Sequence, residues 1–293
     1  MSTLINQEQV KKEMSSRLFK NNVYKALFIV ATIFALAVLV ILFYRIFSQG
    51  MKYFDVDFFT SFASRRPSEA GILGALVGSL WLLVIIAPLS IFLGVGTALY
   101  LEEYAKKNRF TRFIELNISN LAGVPSIVFG LLGLTIFVRG MNLGGSILAG
   151  GLTMSLLILP IIVVASQEAI RTVPKALREA SYGMGATKWQ TIRRVVLPAA
   201  IPGILTGSIL ALSRAIGETA PLIVIGALSF VNYLPSGFMD TFTVLPMQIF
   251  NWTSRPQEEF QFVAASGIIV LLIVLIVMNS IAVLIRNKFQ KNY

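Results

Sequence analysis

EASYGMGATKWQTIRRVVLP, residues 179–198, lies between two long hydrophobic stretches, yet it carries charges and helix-boundary signals that no membrane-crossing segment tolerates. Pro174, just upstream, suits the first turn of a helix, where the N–H that proline lacks would be unpaired anyway. Gly183 and Gly185 can end that helix, because glycine adopts backbone conformations that are closed to other residues. These signals predict a first short helix between Pro174 and Gly185.

A second short helix is predicted directly after the first. Thr187 is a candidate N-cap, and Gln190, three residues later, completes a capping-box pattern. Pro198 marks where the next helix must begin or kink, since proline cannot donate the hydrogen bond of an interior helical residue. Two short helices between hydrophobic spans are expected to lie on the membrane surface, where another protein can bind them.

The overall composition is that of a polytopic membrane protein. The chain has 293 residues, of which 56% are hydrophobic and only 13% charged, with a mean hydropathy of +0.76. A soluble protein of this length carries about 25% charged residues. Several apolar runs exceed the roughly 20 residues that cross a bilayer. The chain has no cysteine and no histidine, which excludes thiol chemistry, disulfides and imidazole metal ligands. No metal site is predicted.

Six membrane spans are predicted, and the distribution of Lys and Arg between the connecting segments predicts their orientation in the membrane. The spans are approximately residues 26–47, 71–101, 116–138, 146–167, 201–222 and 261–285. The predicted organisation is a cytoplasmic tail (1–25), a six-span domain (26–285) with a cytoplasmic loop (169–199), and a cytoplasmic tail (286–293). Lys and Arg divide 18 to 6 between the two sides, with Arg214 inside a span. This positive-inside pattern accounts for the net charge of +11 without a nucleic-acid partner.

Several segments have features that an uninterrupted transmembrane helix lacks. Gly74 and Gly78 form a G-x-x-x-G pair that allows close helix packing. Pro125 is expected to kink span three, and Pro160 to kink span four. An interrupted span is one indication of a transport pathway. The apolar stretch after span five is predicted to be partly re-entrant or to lie on the surface as far as Pro235.

The first short helix is predicted to be amphipathic. Leu177, Ala180 and Met184 line one face, and the charged residues around that face are Lys175, Arg178 and Glu179. One interpretation is that the apolar face binds another protein. The alternative is a helix that rests on lipid headgroups.

The same stretch resembles the EAA-loop signature of ABC importer permeases, E-A-A-x3-G-x9-I-x-L-P. The positions that fit it are Glu179, Ala180, Gly185, Leu197 and Pro198; Ser181 and Val195 are mild departures. The resemblance implies an all-α membrane protein with the type I ABC importer permease fold. It also implies that the first short helix is a coupling helix, which docks on a cytoplasmic ATPase. The ATPase-coupling residues would be Leu177, Glu179, Ala180, Met184, Gly185, Leu197 and Pro198.

Two further stretches narrow the resemblance. SRAIGETAPL (213–222) and NWTSRPQEEF (251–260) are similar to phosphate-specific permease subunits of the PstA type. That similarity implies a bacterial plasma (inner) membrane protein with three partners: a PstC-type permease subunit, a PstB-type ATPase dimer and an extracytoplasmic phosphate-binding protein. The chain contains no G-x-x-x-x-G-K-[ST] sequence, so no cofactor is expected in it, and Mg-ATP would bind to the partner ATPase.

Arg214 and Glu218 are the candidate substrate-path residues. A charge within a span costs roughly 2.5–3.5 kcal/mol on insertion scales, so both are expected to face the bundle interior. At i and i+4 they can pair with each other, and a guanidinium presents a planar fork of donors that fits phosphate oxygens. The hypothesis is that Arg214 attracts the anion and that Glu218 neutralises Arg214 in the empty path. The alternative is a structural ion pair that fixes span five to a neighbour.

Two other functions stay open on the sequence. One is a permease for a different oxyanion, such as sulfate, molybdate or a phosphonate. The other is a secondary transporter or channel that works without an ATPase and uses Arg214 and Glu218 as a proton or ion relay.

Overall fold

The computed structural model describes residues 7–227 and 230–289, and the regular structure in these residues is helical. The chain forms two compact units, residues 1–49 and 50–293. In the first unit most of the predicted basic tail and span one form a single helix, α1 (Gln7–Gly50). The most apolar window of this helix has a mean hydropathy of 3.1, which confirms span one. Residues 1–6 of the predicted tail lie outside the described residues.

The second unit contains the remaining helices. In chain order they are α2 (Val56–Thr60), α3 (Leu73–Leu99), α4 (Arg109–Leu121), α5 (Ser126–Gly133), α6 (Ile147–Arg171), α7 (Lys175–Gly183), α8 (Lys188–Thr191), α9 (Leu197–Gly217), α10 (Ala220–Val224), α11 (Leu245–Thr253) and α12 (Glu259–Phe289). Three π-helical turns extend or join helices: Tyr100–Tyr104 after α3, Leu134–Gly140 after α5 and Ile192–Val196 before α9.

Spans two, four and six are confirmed. In the described part of the chain, five helices are long and apolar enough to cross a membrane, and these three spans correspond to α3, α6 and α12. With its π turn, α3 has 32 residues and is about 48 Å long, which exceeds the roughly 30 Å hydrocarbon core. It therefore extends past the membrane surface. The last four residues of the predicted C-terminal tail, 290–293, lie outside the described residues.

Span three is a bent pair of helices. The axes of α4 and of the α5 segment meet at 104°, a far sharper change of direction than the expected kink. Pro125 is the N-cap of α5, where its missing N–H costs nothing. The α5 segment, 126–140, is about 22 Å long, so it is shorter than an ordinary crossing. Counting the pair as one span gives the predicted total of six.

Span five ends earlier than predicted. α9 stops at Gly217 rather than continuing to residue 222, and Glu218 has an extended backbone with φ −79° and ψ 132°. The chain then turns into α10, which packs against α5. A Cβ atom placed on Gly130 of α5 would lie 2.8 Å from the Cα of Pro221, so only glycine fits at this crossing. The predicted re-entrant segment thus begins with a short helix inside the bundle; its residues 228–229 lie outside the described ranges.

Helix α6 is the central span of the second unit. Two thirds of its most apolar window is buried, against one third or less for the other spans of this unit. It packs against α3 on one side and α9 on the other. Ile158 and Ile162 of α6 are fully buried against Ile86 of α3 and Ala211 of α9. The middle of α6 is therefore held between α3 and α9.

The predicted glycine pair on α3 does allow a close approach, but the partner is not a helix. A Cβ atom on Gly78 would overlap the backbone oxygen of Thr243, in the segment that precedes α11. Gly74 is less tightly packed, since its nearest neighbour would be the Val231 oxygen at 3.4 Å. Gly78 therefore fixes the connecting segment between spans five and six on the side of α3.

Gly78→Ala is expected to lower the melting temperature of the detergent-purified chain, because the added methyl group must displace backbone at a cost of about 1–3 kcal/mol. Gly96→Ala on the same helix is the matched control, because a Cβ there meets nothing within 4 Å. Alanine is also the better helix former by about 1 kcal/mol. The control should melt at or slightly above the original temperature. Equal melting temperatures for the two variants would contradict the close approach of α3 to Thr243.

Candidate functional site

The first predicted surface helix is α7, and its boundaries are confirmed. It follows Pro174 at the N-cap and ends at Gly183. Gly185 has a φ of +81°, the left-handed conformation that favours glycine. The capping box is also present. The backbone N–H of Thr187 donates to Oε1 of Gln190 at 2.8 Å, and the N–H of Gln190 donates to Oγ1 of Thr187 at 3.4 Å.

The second surface helix is not a separate element, and that part of the prediction is wrong. Residues 188–217 form one helical run in which α8 passes through a π turn into α9. The N–H of Leu197 donates to the carbonyl of Ile192, five residues back. This wider turn accommodates Pro198, which has no N–H to donate, without ending the helix. The surface segment is therefore continuous with span five.

The exposed face of α7 carries the predicted apolar residues. The side chain of Met184 is 88% exposed and that of Leu177 is 36% exposed. Together with Ala180 they line a groove of about 390 Å³, which Val195 and Ala199 complete. An uncovered apolar surface of this kind, next to charged residues, is typical of a binding site.

The charged residues of α7 lie in two different environments. Glu179 and Lys175 are exposed, and Glu179 forms no ion pair with any residue in the described ranges. Arg178 does not lie at the edge of the apolar face, contrary to prediction. Its guanidinium is 3.1 Å from the carboxylate of Glu103, and it donates hydrogen bonds to the carbonyl of Ile170 at 2.9 Å and of Val173 at 3.3 Å.

Arg178 therefore attaches α7 to the rest of the bundle. Glu103 lies in the π turn that ends α3, and Ile170 lies in the last turn of α6. The side chains of Arg178 and Glu103 are 20% and 10% exposed, so the pair is largely shielded from solvent. A shielded charge pair with additional hydrogen bonds is costly to break, because either partner alone would be left uncompensated. Arg178 thus links α7 directly to the ends of α3 and α6.

A second group of polar residues braces the same ends of α3 and α6. Arg171 pairs with Glu102 at 2.7 Å and with Glu168 at 2.9 Å, and Gln167 donates to Glu102 at 3.0 Å. Sequence reasoning missed Glu102 and Glu103. Their position in the sequence could have indicated this role. They directly follow a long charge-free stretch, and span four also becomes polar at its corresponding end.

Of the remaining predicted coupling residues, Gly185 is exposed, whereas Leu197 and Pro198 are partly shielded. Leu197 and Pro198 are half-buried in α9, and Leu197 packs against a cluster that includes Ile170 and Val196. The hydroxyls of Ser181 on α7 and Thr191 on α8 are hydrogen-bonded at 2.9 Å. The structure therefore brings Leu177, Glu179, Ala180 and Met184 together on one exposed helix. Gly185, Leu197 and Pro198 shape the connection from that helix to span five.

Arg214 and Glu218 lie near each other, but they do not share a helix. Arg214 is in the last turn of α9, and Glu218 follows the end of that helix in extended conformation. Nε of Arg214 is 3.4 Å from Oε1 of Glu218. Half of the Arg214 side chain is exposed in this isolated chain, against a fifth for Glu218. The residue next to Arg214, Ser213, donates to Oδ1 of Asn279 on α12 at 2.7 Å.

Solved structures with a similar fold belong to ABC transporters. The chain superposes on a protein of a bacterial ABC transporter that imports the acidic polysaccharide alginate, with a TM-score of 0.64, 17% identity, and coverage of 94% of this chain and 100% of that one. The inward-facing MetNI methionine ABC transporter gives a TM-score of 0.58 and 19% identity, covering 73% and 95%. These similarities confirm the predicted fold of a type I ABC importer permease.

Sequence comparison gives closer relatives. The chain is 38% identical over 227 residues to the probable ABC transporter permease protein YqgI of Bacillus subtilis (strain 168), covering 76% of this chain and 74% of that one. It is 35% identical over 280 residues to the phosphate transport system permease protein PstA 1 of Mycobacterium tuberculosis (strain ATCC 25618 / H37Rv), covering 92% and 88%. Residues 90–291 match the family described as binding-protein-dependent transport system inner membrane component. The chain belongs to this family, the multi-pass permease subunits of ABC importers.

Proposed function

We propose that this chain is the transmembrane permease subunit of an ATP-driven importer of inorganic phosphate in a bacterial plasma membrane. The observation that carries the proposal is the similarity to a phosphate transport permease over nine-tenths of the chain. Both termini lie in the cytoplasm, in accord with the positive-inside distribution. Residues 1–25 and 286–293 are then cytoplasmic tails, and residues 26–285 form the transmembrane domain with its cytoplasmic loop, 169–199.

The proposed importer needs three further components. A PstC-type permease subunit completes the translocation path, a PstB-type ATPase dimer binds and hydrolyses Mg-ATP, and an extracytoplasmic phosphate-binding protein delivers the substrate. The exposed groove at Leu177, Ala180 and Met184 supports a protein partner on the cytoplasmic side. Arg214 supports a permease partner, because a charged side chain that is half-exposed at membrane depth faces protein or a water-filled path rather than lipid.

Coupling follows from the two attachments of α7. Closure of the ATPase dimer on ATP binding moves α7. The ion pair between Arg178 and Glu103 passes that movement to α3, and the hydrogen bonds of Arg178 to carbonyls at the end of α6 pass it to the central span. The hydrogen bond between Ser181 and Thr191 passes it to the helix of span five, which carries Arg214. The spans then alternate between inward and outward states.

The substrate path is proposed at the end of α9. The Arg214 guanidinium supplies positive charge and a fork of donors that fits phosphate oxygens. The Glu218 carboxylate, 3.4 Å away, holds Arg214 when the path is empty. The same carboxylate repels a bound anion, so the affinity of the path for phosphate stays low enough for release.

The proposal predicts the outcome of a phosphate uptake assay. Cells that lack this chain should lose uptake of labelled phosphate at low micromolar concentration, and complementation with the chain should restore it. Excess sulfate or molybdate should leave the restored uptake unchanged, because the path would be selected for phosphate.

Two other outcomes are informative. Competition by sulfate, molybdate or a phosphonate would identify the chain as a permease for that oxyanion and overturn the phosphate assignment. Uptake that is sensitive to an uncoupler and persists without the ATPase would identify a secondary transporter. Both assays require a strain without other phosphate transporters, so that no second system masks the loss.

A further inference from the structure

A basic cavity lies beside α4, and its lining residues include neither those of the exposed groove on α7 nor Arg214. It has a volume of about 600 Å³ and is lined by the end of α3, the first turns of α4 and the end of α6. Its charged residues are Lys107, Arg109, Arg112, Arg171, Glu102 and Glu115. A smaller cavity of about 230 Å³ shares Arg112, Glu115 and Arg171 with it and continues along α4.

The carboxylates of this cavity neutralise only one of its four cations. Glu102 and Glu115 both face Arg171, at 2.7 Å and 4.0 Å. Lys107, Arg109 and Arg112 form no ion pair with any residue whose side chain the structure describes, and all three are exposed. Three unpaired cations on one wall therefore leave a concave site with positive charge, which favours a phosphate or carboxylate ligand.

The position of α4 indicates that the anionic ligand is part of a membrane lipid. α4 is amphipathic and meets the α5 segment at 104°, which is the geometry expected of a helix that lies along the membrane surface beside a helix that enters the bilayer. Ile114 and Ile118 pack against the bundle, whereas Phe110 and Phe113 are 69% and 63% exposed. Exposed phenylalanines on an interfacial helix insert at the boundary between headgroups and acyl chains. The cations of the same helix then lie at the level of the lipid phosphates.

We propose that the cavity lined by the unpaired cations Lys107, Arg109 and Arg112 binds the phosphate headgroup of an anionic phospholipid. Basic pockets between helix ends at the cytoplasmic surface have the charge and depth for such headgroups. The bound lipid holds α4 against the ends of α3 and α6, next to the ion pair between Arg178 and Glu103 that attaches α7. This inference does not depend on which anion the importer carries, because none of these residues lies in the proposed substrate path.

The test is a lipid titration of the full chain, purified in detergent and measured by native mass spectrometry. The original chain should bind phosphatidylglycerol more tightly than phosphatidylcholine. The double variant Lys107→Gln/Arg112→Gln should bind phosphatidylglycerol about 25-fold more weakly, at about fivefold for each cation near the headgroup. The matched control is Lys175→Gln/Arg193→Gln, which removes two exposed cations from the same end of the molecule but from outside the cavity. It should retain the original affinity.

Three results would overturn the proposal. Equal affinity for the two lipids would mean that the site does not recognise an anionic headgroup. An equal loss in the control would mean that net charge, and not the cavity, attracts the lipid. Displacement of phosphatidylglycerol by millimolar inorganic phosphate would assign the cavity to free phosphate. Melting temperatures in lipid-free detergent should be unchanged, because neither Lys107 nor Arg112 has an ion-pair partner among the described residues to lose.

Discussion

Glu179→Lys is expected to lower transport by at least about 100-fold while the protein still inserts into the membrane. Glu179 is exposed on α7 and forms no ion pair among the described residues, so its charge is available to a partner and contributes little to the fold. Charge reversal on a docking face removes an attraction and adds a repulsion, which together cost several kcal/mol. The measurements are substrate uptake and co-purification of the ATPase with the permease.

The control for this experiment is Glu258→Lys, the same charge reversal at an exposed residue between α11 and α12. It should leave ATPase co-purification unchanged. If Glu179→Lys transports normally, α7 is not the coupling helix. If it keeps the ATPase but gains affinity for anionic vesicles, α7 rests on lipid headgroups, which is the alternative that the sequence left open.

The boundaries of α7 could be predicted because their causes are local. Pro174 and Gly185 act through backbone geometry within a few residues, as does the pair Thr187–Gln190 at the start of α8, and the structure contains each of these features. The apolar face of α7 was predicted for the same reason, since helical periodicity alone places Leu177 and Met184 on one side. These features do not depend on the rest of the chain.

The inward direction of Arg178 could not be predicted in this way. Its partner Glu103 is distant in sequence, and the helix pattern alone allows an arginine at this position to face either solvent or the bundle. The π turn before Pro198 was missed because a proline normally ends or kinks a helix, whereas a hydrogen bond to the fifth residue back lets the helix continue.

The end of span five was also misplaced, and this changes how Glu218 is interpreted. The apolar sequence continues past Gly217, so hydropathy gives no stop signal there. The structure ends α9 at that glycine and places Glu218 in extended backbone. The carboxylate therefore belongs to a non-helical turn inside the bundle. Irregular backbone at membrane depth is tolerated where it is buried in protein or lines a cavity, which agrees with a role in the translocation path.

Arg214→Gln is expected to reduce phosphate flux at least about tenfold while the complex with the second permease subunit and the ATPase still assembles. Glutamine retains hydrogen-bonding capacity and part of the length of the side chain, but it removes the positive charge that we propose attracts the anion. A charge-assisted hydrogen bond contributes about 1.5–3 kcal/mol, which corresponds to a tenfold or larger effect. The measurement is ATP-driven uptake into proteoliposomes with the whole complex, together with size-exclusion chromatography to show assembly.

Arg214→Lys and Glu218→Gln distinguish the two roles of the pair. If Arg214 attracts the anion, the Arg214→Lys variant should retain part of the phosphate flux, because the charge remains and only the planar fork is lost. Glu218→Gln should bind phosphate more tightly and release it more slowly, because it removes a repulsive carboxylate 3.4 Å from the guanidinium in the empty path. A structural pair predicts a different pattern, in which Arg214→Gln and Glu218→Gln both impair assembly to a similar degree. Loss of assembly in Arg214→Gln would assign the pair to the contact between span five and its neighbour and remove Arg214 from the substrate path.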